Sequence, residues 1–272
     1  AILFRVPQRK SGTGSVFSLR PSFYILSVHR DAHLTPQSAG RQQISQSSRT
    51  FPDPGRAPIH CTDDARRLAR RRMPRIMFDY VDGAAGTELA ARANVSAIDQ
   101  IRLQPRVLVN VEGREVGKRI LGFDAKLPFG IAPMGMCNLT WPGADRMLAA
   151  QAQHRNVPIC LSTAASSTLE DMRAQAGEWA WFQLYVLQSF ESAFELVDRA
   201  EAAGYEVLIL TVDVPQVAAR YRDERNGFQM PFKMGANQFL DFALHPRWSL
   251  ATLANGAPKP MNFESAGSGQ GF

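Results

Sequence analysis

Four short apolar stretches of this 272-residue chain end where chemistry could gather, three of them in side chains that can form hydrogen bonds. The run at 127–134 closes on Ala132, Pro133, Met134 and Gly135. The run at 157–163 closes on Ser162 and Thr163. The run at 179–186 carries Gln183 and Tyr185, and the run at 206–213 carries Thr211 and Asp213. Residues two apart on a strand share a face, so each of these pairs points the same way. Taken singly, such groups are ordinary buried polar residues that need partners. Together they offer hydroxyls, an amide and a phenol to one place. Neither GxGxxG nor a Walker pattern accompanies them. A neutral hydrogen-bonding floor suits a planar ligand with a polar edge, such as a flavin ring, better than a bare anion.

The elements that must position these residues follow a repeat. With Ile131, Ile159, Phe182 and Ile209 as centres, the apolar runs recur every 23–28 residues. Helical patterns at 144–155, 168–175 and 189–203 separate them. Buried apolar strands alternating with amphipathic helices indicate βα units and a parallel sheet. In such sheets ligands bind at the carboxyl ends of the strands, where the polar residues lie. A closed (βα)₈ barrel takes about 250 residues, and four units are half of one. The reading is α/β, either a small open sheet or half of a barrel.

Upstream, Thr62 caps a helix with Asp63 and Asp64 early and Arg70, Arg71 and Arg72 late, as the helix dipole favours. A second helix runs over 75–81, stopped by Asp82-Gly83, and a third over 87–98. The segment 103–111 reads as a strand. The resulting divisions are a disordered or non-family extension at 1–58, helices and short strands at 59–126, four βα units at 127–234, and an excursion with a flexible tail at 235–272.

Composition narrows the function. The chain carries a net charge of +6, yet residues 1–58 hold eight basic and two acidic residues, so the remainder is neutral. A nucleic-acid-binding domain carries its charge on the folded part, so no nucleic-acid partner is expected. The Arg- and Ser-rich leader reads as a disordered extension, upstream sequence translated in error, or an organelle transit peptide. Cys61, Cys137 and Cys160 form no CxxC pattern and fit a reducing compartment. The five histidines show no metal-ligand spacing, so no metal site is expected.

The order of motifs carries a family resemblance. FDYVDG at 78–83, LQPRVL at 103–108, LPFGIAPMG at 127–135 and LSTAASST at 161–168 come first. WFQLYV at 181–186, AGYEVLILTVDVP at 203–215 and RNGFQMP at 225–231 follow. Over about residues 61–262 the sequence resembles the FMN-dependent α-hydroxy-acid dehydrogenase and oxidase family. HPRWSL at 245–250 points to its L-lactate and mandelate dehydrogenase branch.

The resemblance implies the N-terminal half of a (β/α)₈ TIM barrel, preceded by a small helical segment. It also implies FMN as cofactor and a small L-2-hydroxy acid as substrate, oxidised to the 2-oxo acid. Pro133, Met134 and Gly135 would lie against the flavin, and Ser162, Gln183 and Thr211 would bond its polar edge. Tyr80 would bind the substrate carboxylate, Tyr185 would stand beside the substrate hydroxyl as the catalytic tyrosine, and Arg220 would lie near the substrate. The electron acceptor stays unassigned. Homo-oligomeric assembly is the family habit. A cytoplasmic location is expected, with 239–253 either touching the inner membrane face peripherally or simply packing.

Departures accompany the likeness. Met134 stands where the family has threonine, and VAARY at 217–221 leaves Arg220 as one arginine of two. The family's fifth-strand lysine, its histidine base with a neighbouring arginine, and its glycine-rich phosphate segments have no counterpart here. His154, on a helix before the second strand, and His245, in the excursion, are misplaced to serve as that base. The expectation is a chain that is weak or inactive alone. The rival is a non-catalytic half-barrel that needs a partner chain or self-association.

Overall fold

The computed structural model describes residues 2–5, 58–186, 190–213, 218–228, 235–256 and 258–262. Its first strand, β1 (Ile2–Arg5), belongs to the segment read as lying outside the fold. Three helices follow: α1 (Thr62–Arg72), α2 (Arg75–Asp82) and α3 (Leu89–Asp99). The cap of α1 is Cys61, one residue before the expected Thr62. Asp64 decides this, because its carboxylate accepts the N–H groups of His60 and Cys61, at 2.9 and 3.2 Å. Pro74 separates α1 from α2, and Gly83 ends α2 by donating to the Asp79 carbonyl.

The strand expected at 103–111 does not form. Those residues have no ladder partner and lie exposed, Leu108 fully so and at φ 58°. Pro105 interrupts any ladder there. The strands of this region are instead a hairpin, β2 (Lys118–Ile120) and β3 (Phe123–Ala125). Leu121 and Gly122 join them with φ of 50° and 93°, the left-handed pair that a two-residue turn requires.

The repeat then appears as α4 (Ala144–Arg155), β4 (Ile159–Ser162), α5 (Leu169–Ala176), β5 (Ala180–Tyr185), α6 (Phe190–Ala202) and β6 (Val207–Thr211). Strands β4, β5 and β6 are parallel and adjacent in sequence order. The run at 127–134 is reduced from a strand to a single parallel bridge, Ile131 to Ile159. Ile131 both donates to Pro158 (2.8 Å) and accepts from Cys160 (2.9 Å). Pro128 and Pro133 on either side of it carry no N–H to extend the ladder.

The pleat divides the sheet. Ile159, Leu161, Phe182 and Leu184 face the helices and pack on Leu169, Met172, Leu196 and Ala200. Cys160, Trp181 and Val207 face the other way and are covered by Phe123 and Ala125 of the hairpin. Phe123 lies 6.0 Å from Trp179 and 6.2 Å from Trp181, ring centre to ring centre. The hairpin thus fills the lower part of the inner face. The upper part, toward the strand C-termini, is left to Ser162, Gln183, Tyr185 and Thr211.

A second core joins the helical segments. Met73, Ile76, Met77 and Phe78 pack with Met136, Leu139 and Trp248. It unites α2 with α8 (Ala236–Leu244) and α9 (Pro246–Asn255), which follow the short α7 (Tyr221–Asn226). Trp248 Nε1 fixes α9 by donating to the Thr140 carbonyl at 3.0 Å. The chain then returns to the sheet. Met261 donates to Ala165 at 2.9 Å, and the fully buried Asn262 donates to the Ser167 carbonyl at 3.1 Å. Glycine-rich 264–272, read as a tail, lies outside the described residues.

The extension read as disordered or non-family contributes β1, which pairs antiparallel with β6 from Ile2↔Leu210 to Arg5↔Val207. An unpaired strand edge exposes a row of donors and acceptors, and this pairing satisfies those of β6.

Candidate functional site

At the C-terminal ends of the parallel strands, a continuous polar ladder crosses the sheet. Ser162 lies opposite Gln183, and Tyr185 lies opposite Thr211. Ser162 Oγ donates to Gln183 Oε1 at 3.1 Å, and Gln183 Nε2 donates to Thr211 Oγ1 at 2.9 Å. Gln183 and Ser162 are buried. The neighbouring Thr163, on the opposite face, donates to the Gln183 carbonyl at 2.6 Å and accepts from the Tyr185 N–H at 3.0 Å. Thr163 therefore locks the backbone that carries the ladder.

Beside the ladder runs a strip of exposed main chain, Ala132, Pro133, Met134 and Gly135. Gly135 is held close to the second βα loop: a Cβ there would stand 3.2 Å from the Ala164 Cβ. Met136 donates to the Ala164 carbonyl at 2.9 Å and fixes that contact. Buried Asp145 shapes the same loop by accepting the Ser166 N–H at 3.0 Å. Burial raises the Asp145 carboxyl above its usual range, and burial together with Asp145 pushes the Cys137 thiol up to about 12. That thiol is inert at neutral pH.

The ladder fits a flavin edge. It presents two hydroxyls and an amide, so both donors and acceptors are available on one line. The exposed strip Ala132–Gly135, with Met134 as its one long side chain, lies where a ring could cover it. Within the ladder Gln183 uses one amide N–H and one lone pair of Oε1, so its second N–H and second lone pair have no partner in the ladder.

The second group of expected residues lies on α2 and just before α7. Tyr80 stacks on Phe228 with centroids 4.4 Å apart and planes at 19°. Arg220 lies over the Tyr80 ring, its guanidinium carbon 4.8 Å from the centroid. Its Nη2 donates to the carbonyls of Tyr80 and Gly83, and its Nε pairs with Asp223 at 3.1 Å. In this arrangement Arg220 holds Tyr80. Burial raises the Asp223 carboxyl, with Arg220 opposing that effect.

The structure thus brings Ser162, Gln183, Tyr185 and Thr211 together, with Pro133, Met134 and Gly135 alongside. Tyr80 and Arg220 form a pair of their own. They are linked to the strip through Met136, which shares a core with Phe78 and half-buried Tyr80. Asp213 lies exposed past the end of β6. His154 sits in the last turn of α4, and His245 caps α9 with Nδ1 2.7 Å from the Asp241 carbonyl oxygen. Parts of the loops after β5 and β6, at 187–189 and 214–217, lie outside the described residues.

Sequence reasoning missed Arg222. Its guanidinium meets Asp82 at 2.7 Å, Glu88 at 2.6 Å and Asp79 at 3.6 Å. The signal was present: FDYVDG offers two acids one turn apart, and RYRD offers two arginines two apart. Arg66, first, and Arg222 hold the Asp82 carboxyl down at about 2.

Residues 69–270 match the FMN-dependent dehydrogenase family. The chain belongs to that family. Among its relatives is (S)-mandelate dehydrogenase of Pseudomonas putida, 37% identical over 204 residues, covering 75% of this chain and 52% of the relative. L-lactate dehydrogenase of Pseudomonas syringae pv. syringae is 34% identical over 203 residues, covering 75% and 53%. A crystal structure of the monotopic membrane protein (S)-mandelate dehydrogenase superposes with a TM-score of 0.71 at 37% identity, covering 75% of this chain and 54% of that one. A mandelate oxidase variant with a C4a-OH-FMN adduct gives 0.59 at 36% identity, covering 65% and 53%. The chain of this FMN-dependent dehydrogenase family member spans about half the length of the curated relatives it matches.

Proposed function

We propose that this chain binds FMN across the Ser162–Gln183–Thr211 ladder and takes part in oxidising a small L-2-hydroxy acid of the mandelate and lactate class. The observation that carries the reading is the ladder itself, set beside the exposed strip Ala132–Gly135 at the strand C-termini. Bound FMN supplies a two-electron acceptor. Ser162, Gln183 and Thr211 orient the polar edge of the ring, and Pro133, Met134 and Gly135 support its face. Tyr80, steadied by Arg220 and Phe228, takes the substrate carboxylate, and Tyr185 takes the substrate hydroxyl. In this reading β4, β5, β6 and the bridged run at Ile131 are the first four βα strands of a (βα)₈ barrel, and α1–α3 form its preceding helical segment.

An FMN titration of the whole chain tests this. Saturable quenching of flavin fluorescence in the micromolar range, lost in Gln183→Leu, is the expected result. Absence of saturation would sink the assignment.

A surface-bound location is the second part of the proposal. Phe239, Leu240 and Leu244 on α8, with Leu250 and Leu253 on α9, stand exposed while Phe242 and Trp248 turn inward. Among the described residues no helix is long and apolar enough to cross a membrane. An apolar face of this kind lies in the interface plane. Co-sedimentation with anionic vesicles is expected, and Phe239→Ser with Leu240→Ser should abolish it.

A further inference from the structure

We infer that Arg222 is a positioning residue, gathering Asp79, Asp82 and Glu88 so that Tyr80 and Arg220 keep their places. The inference rests on the reading of Tyr80 as the substrate-carboxylate contact. Arg222 touches three carboxylates drawn from two elements: Asp79 and Asp82 from α2, and Glu88 from the residue before α3. Tyr80 lies between the first two. Its carbonyl, like that of Gly83, is the acceptor for Arg220.

Two details fix the local backbone of this arrangement. Glu88 occupies the left-handed region at φ 63°, which a residue with a Cβ adopts only when its surroundings hold it there. Gly83 is equally constrained, because a Cβ would lie 2.6 Å from the Asp79 carbonyl oxygen and 3.4 Å from Arg220 Nη2.

Among the described residues, the neighbouring cations each reach only part of this carboxylate set. Arg220 is committed to Asp223 and two carbonyls, and Arg66 reaches only Asp82 from an exposed position. Arg75 pairs with Asp79 at 3.3 Å from an exposed helix start. Without Arg222, Glu88 would lose the cation paired with it and Asp82 one of its two, weakening the tie between α7 and the end of α2. The Asn226 amide 2.7 Å from Asp79, the Gly86 N–H on the Ala219 carbonyl at 2.8 Å, and Arg220 on the Tyr80 and Gly83 carbonyls would remain. The stack of Tyr80 on Phe228 would loosen in consequence.

The test is fluorine NMR of the whole chain labelled with 3-fluorotyrosine. Tyr80→Phe assigns the Tyr80 signal, and Tyr205→Phe assigns Tyr205, whose hydroxyl is buried against the Leu169 carbonyl. In Arg222→Ala the Tyr80 signal should move toward its position in urea while Tyr205 stays put. Arg222→Lys, with one charged arm, should give an intermediate position. An unmoved Tyr80 signal in Arg222→Ala would overturn the inference. If Tyr205 also moves, Glu88→Gln decides: a displaced Tyr80 signal supports the inference and an unmoved one overturns it. With FMN and mandelate present, Arg222→Ala should weaken the mandelate-induced shift of Tyr80 about tenfold in concentration while leaving FMN quenching unchanged. A wild-type chain that ignores FMN and mandelate would defeat the proposed function, and the substitution data would still judge Arg222.

Discussion

Asn262 Oδ1 accepts the backbone N–H of Leu169 at 3.2 Å across 93 positions of sequence. The same amide donates to the Ser167 carbonyl, so one fully buried side chain ties the end of the excursion to the first turn of α5. Thr168 caps α5 through the Asp171 N–H, and Asn262 takes a second orphan N–H of that turn, that of Leu169.

Asn262→Ala should therefore cost about 1–3 kcal/mol, the usual penalty for stranding buried partners. Urea unfolding measures the loss. Limited proteolysis should show earlier cleavage between 235 and 262 than within the α4–β6 region. Equal protection of both would contradict this role.

Gln183→Leu keeps the volume and removes both ladder bonds. Ser162 Oγ retains the Ala164 N–H at 3.2 Å, whereas Thr211 loses its donor. A destabilisation of about 1–3 kcal/mol is expected in urea. Circular dichroism should remain native, because Thr163 still binds the Gln183 carbonyl.

Asp82 makes stability depend on pH. Its carboxyl is depressed to about 2 in the fold by Arg66 and then Arg222, against 3.8 in the free state. The stabilisation is therefore complete above about pH 4 and disappears as pH falls through the folded value. Because Arg66 is largely exposed, the contribution is about 1 kcal/mol after solvent screening. Wild type and Asp82→Asn should differ by that amount at pH 7 and converge near pH 2. A constant difference across this range would contradict the linkage.

Much of this arrangement was legible beforehand. The helix at 144–155 and the parallel strands centred on Ile159, Phe182 and Ile209 follow from apolar runs and period. The ladder was readable because Gln183 and Tyr185 are two apart on one strand. Short strands are expected within 59–126, but the position of the hairpin at 118–125 is not legible because three-residue strands carry no periodicity. Only the Leu121-Gly122 pair hinted at it. Arg220 was found, but its bonds to backbone carbonyls were not foreseeable, since no side-chain pattern reports a backbone acceptor. Arg222 escaped because an arginine among acids reads as a solvated face until the fold brings FDYVDG against it. The strand at 127–134 failed on its two prolines, whose missing donors matter more where a ladder rests on one bridge.

The antiparallel hold of β1 on β6 carries a consequence for assembly. A further parallel strand and an antiparallel one cannot both occupy that edge. To any incoming strand, β1 is a tethered competitor. Its grip appears as a reduced apparent affinity, scaled by the fraction of time the edge stands vacant. Lengthening or shortening the 52-residue connection from Val6 to Ala57 would alter that fraction without touching a single contact in the sheet.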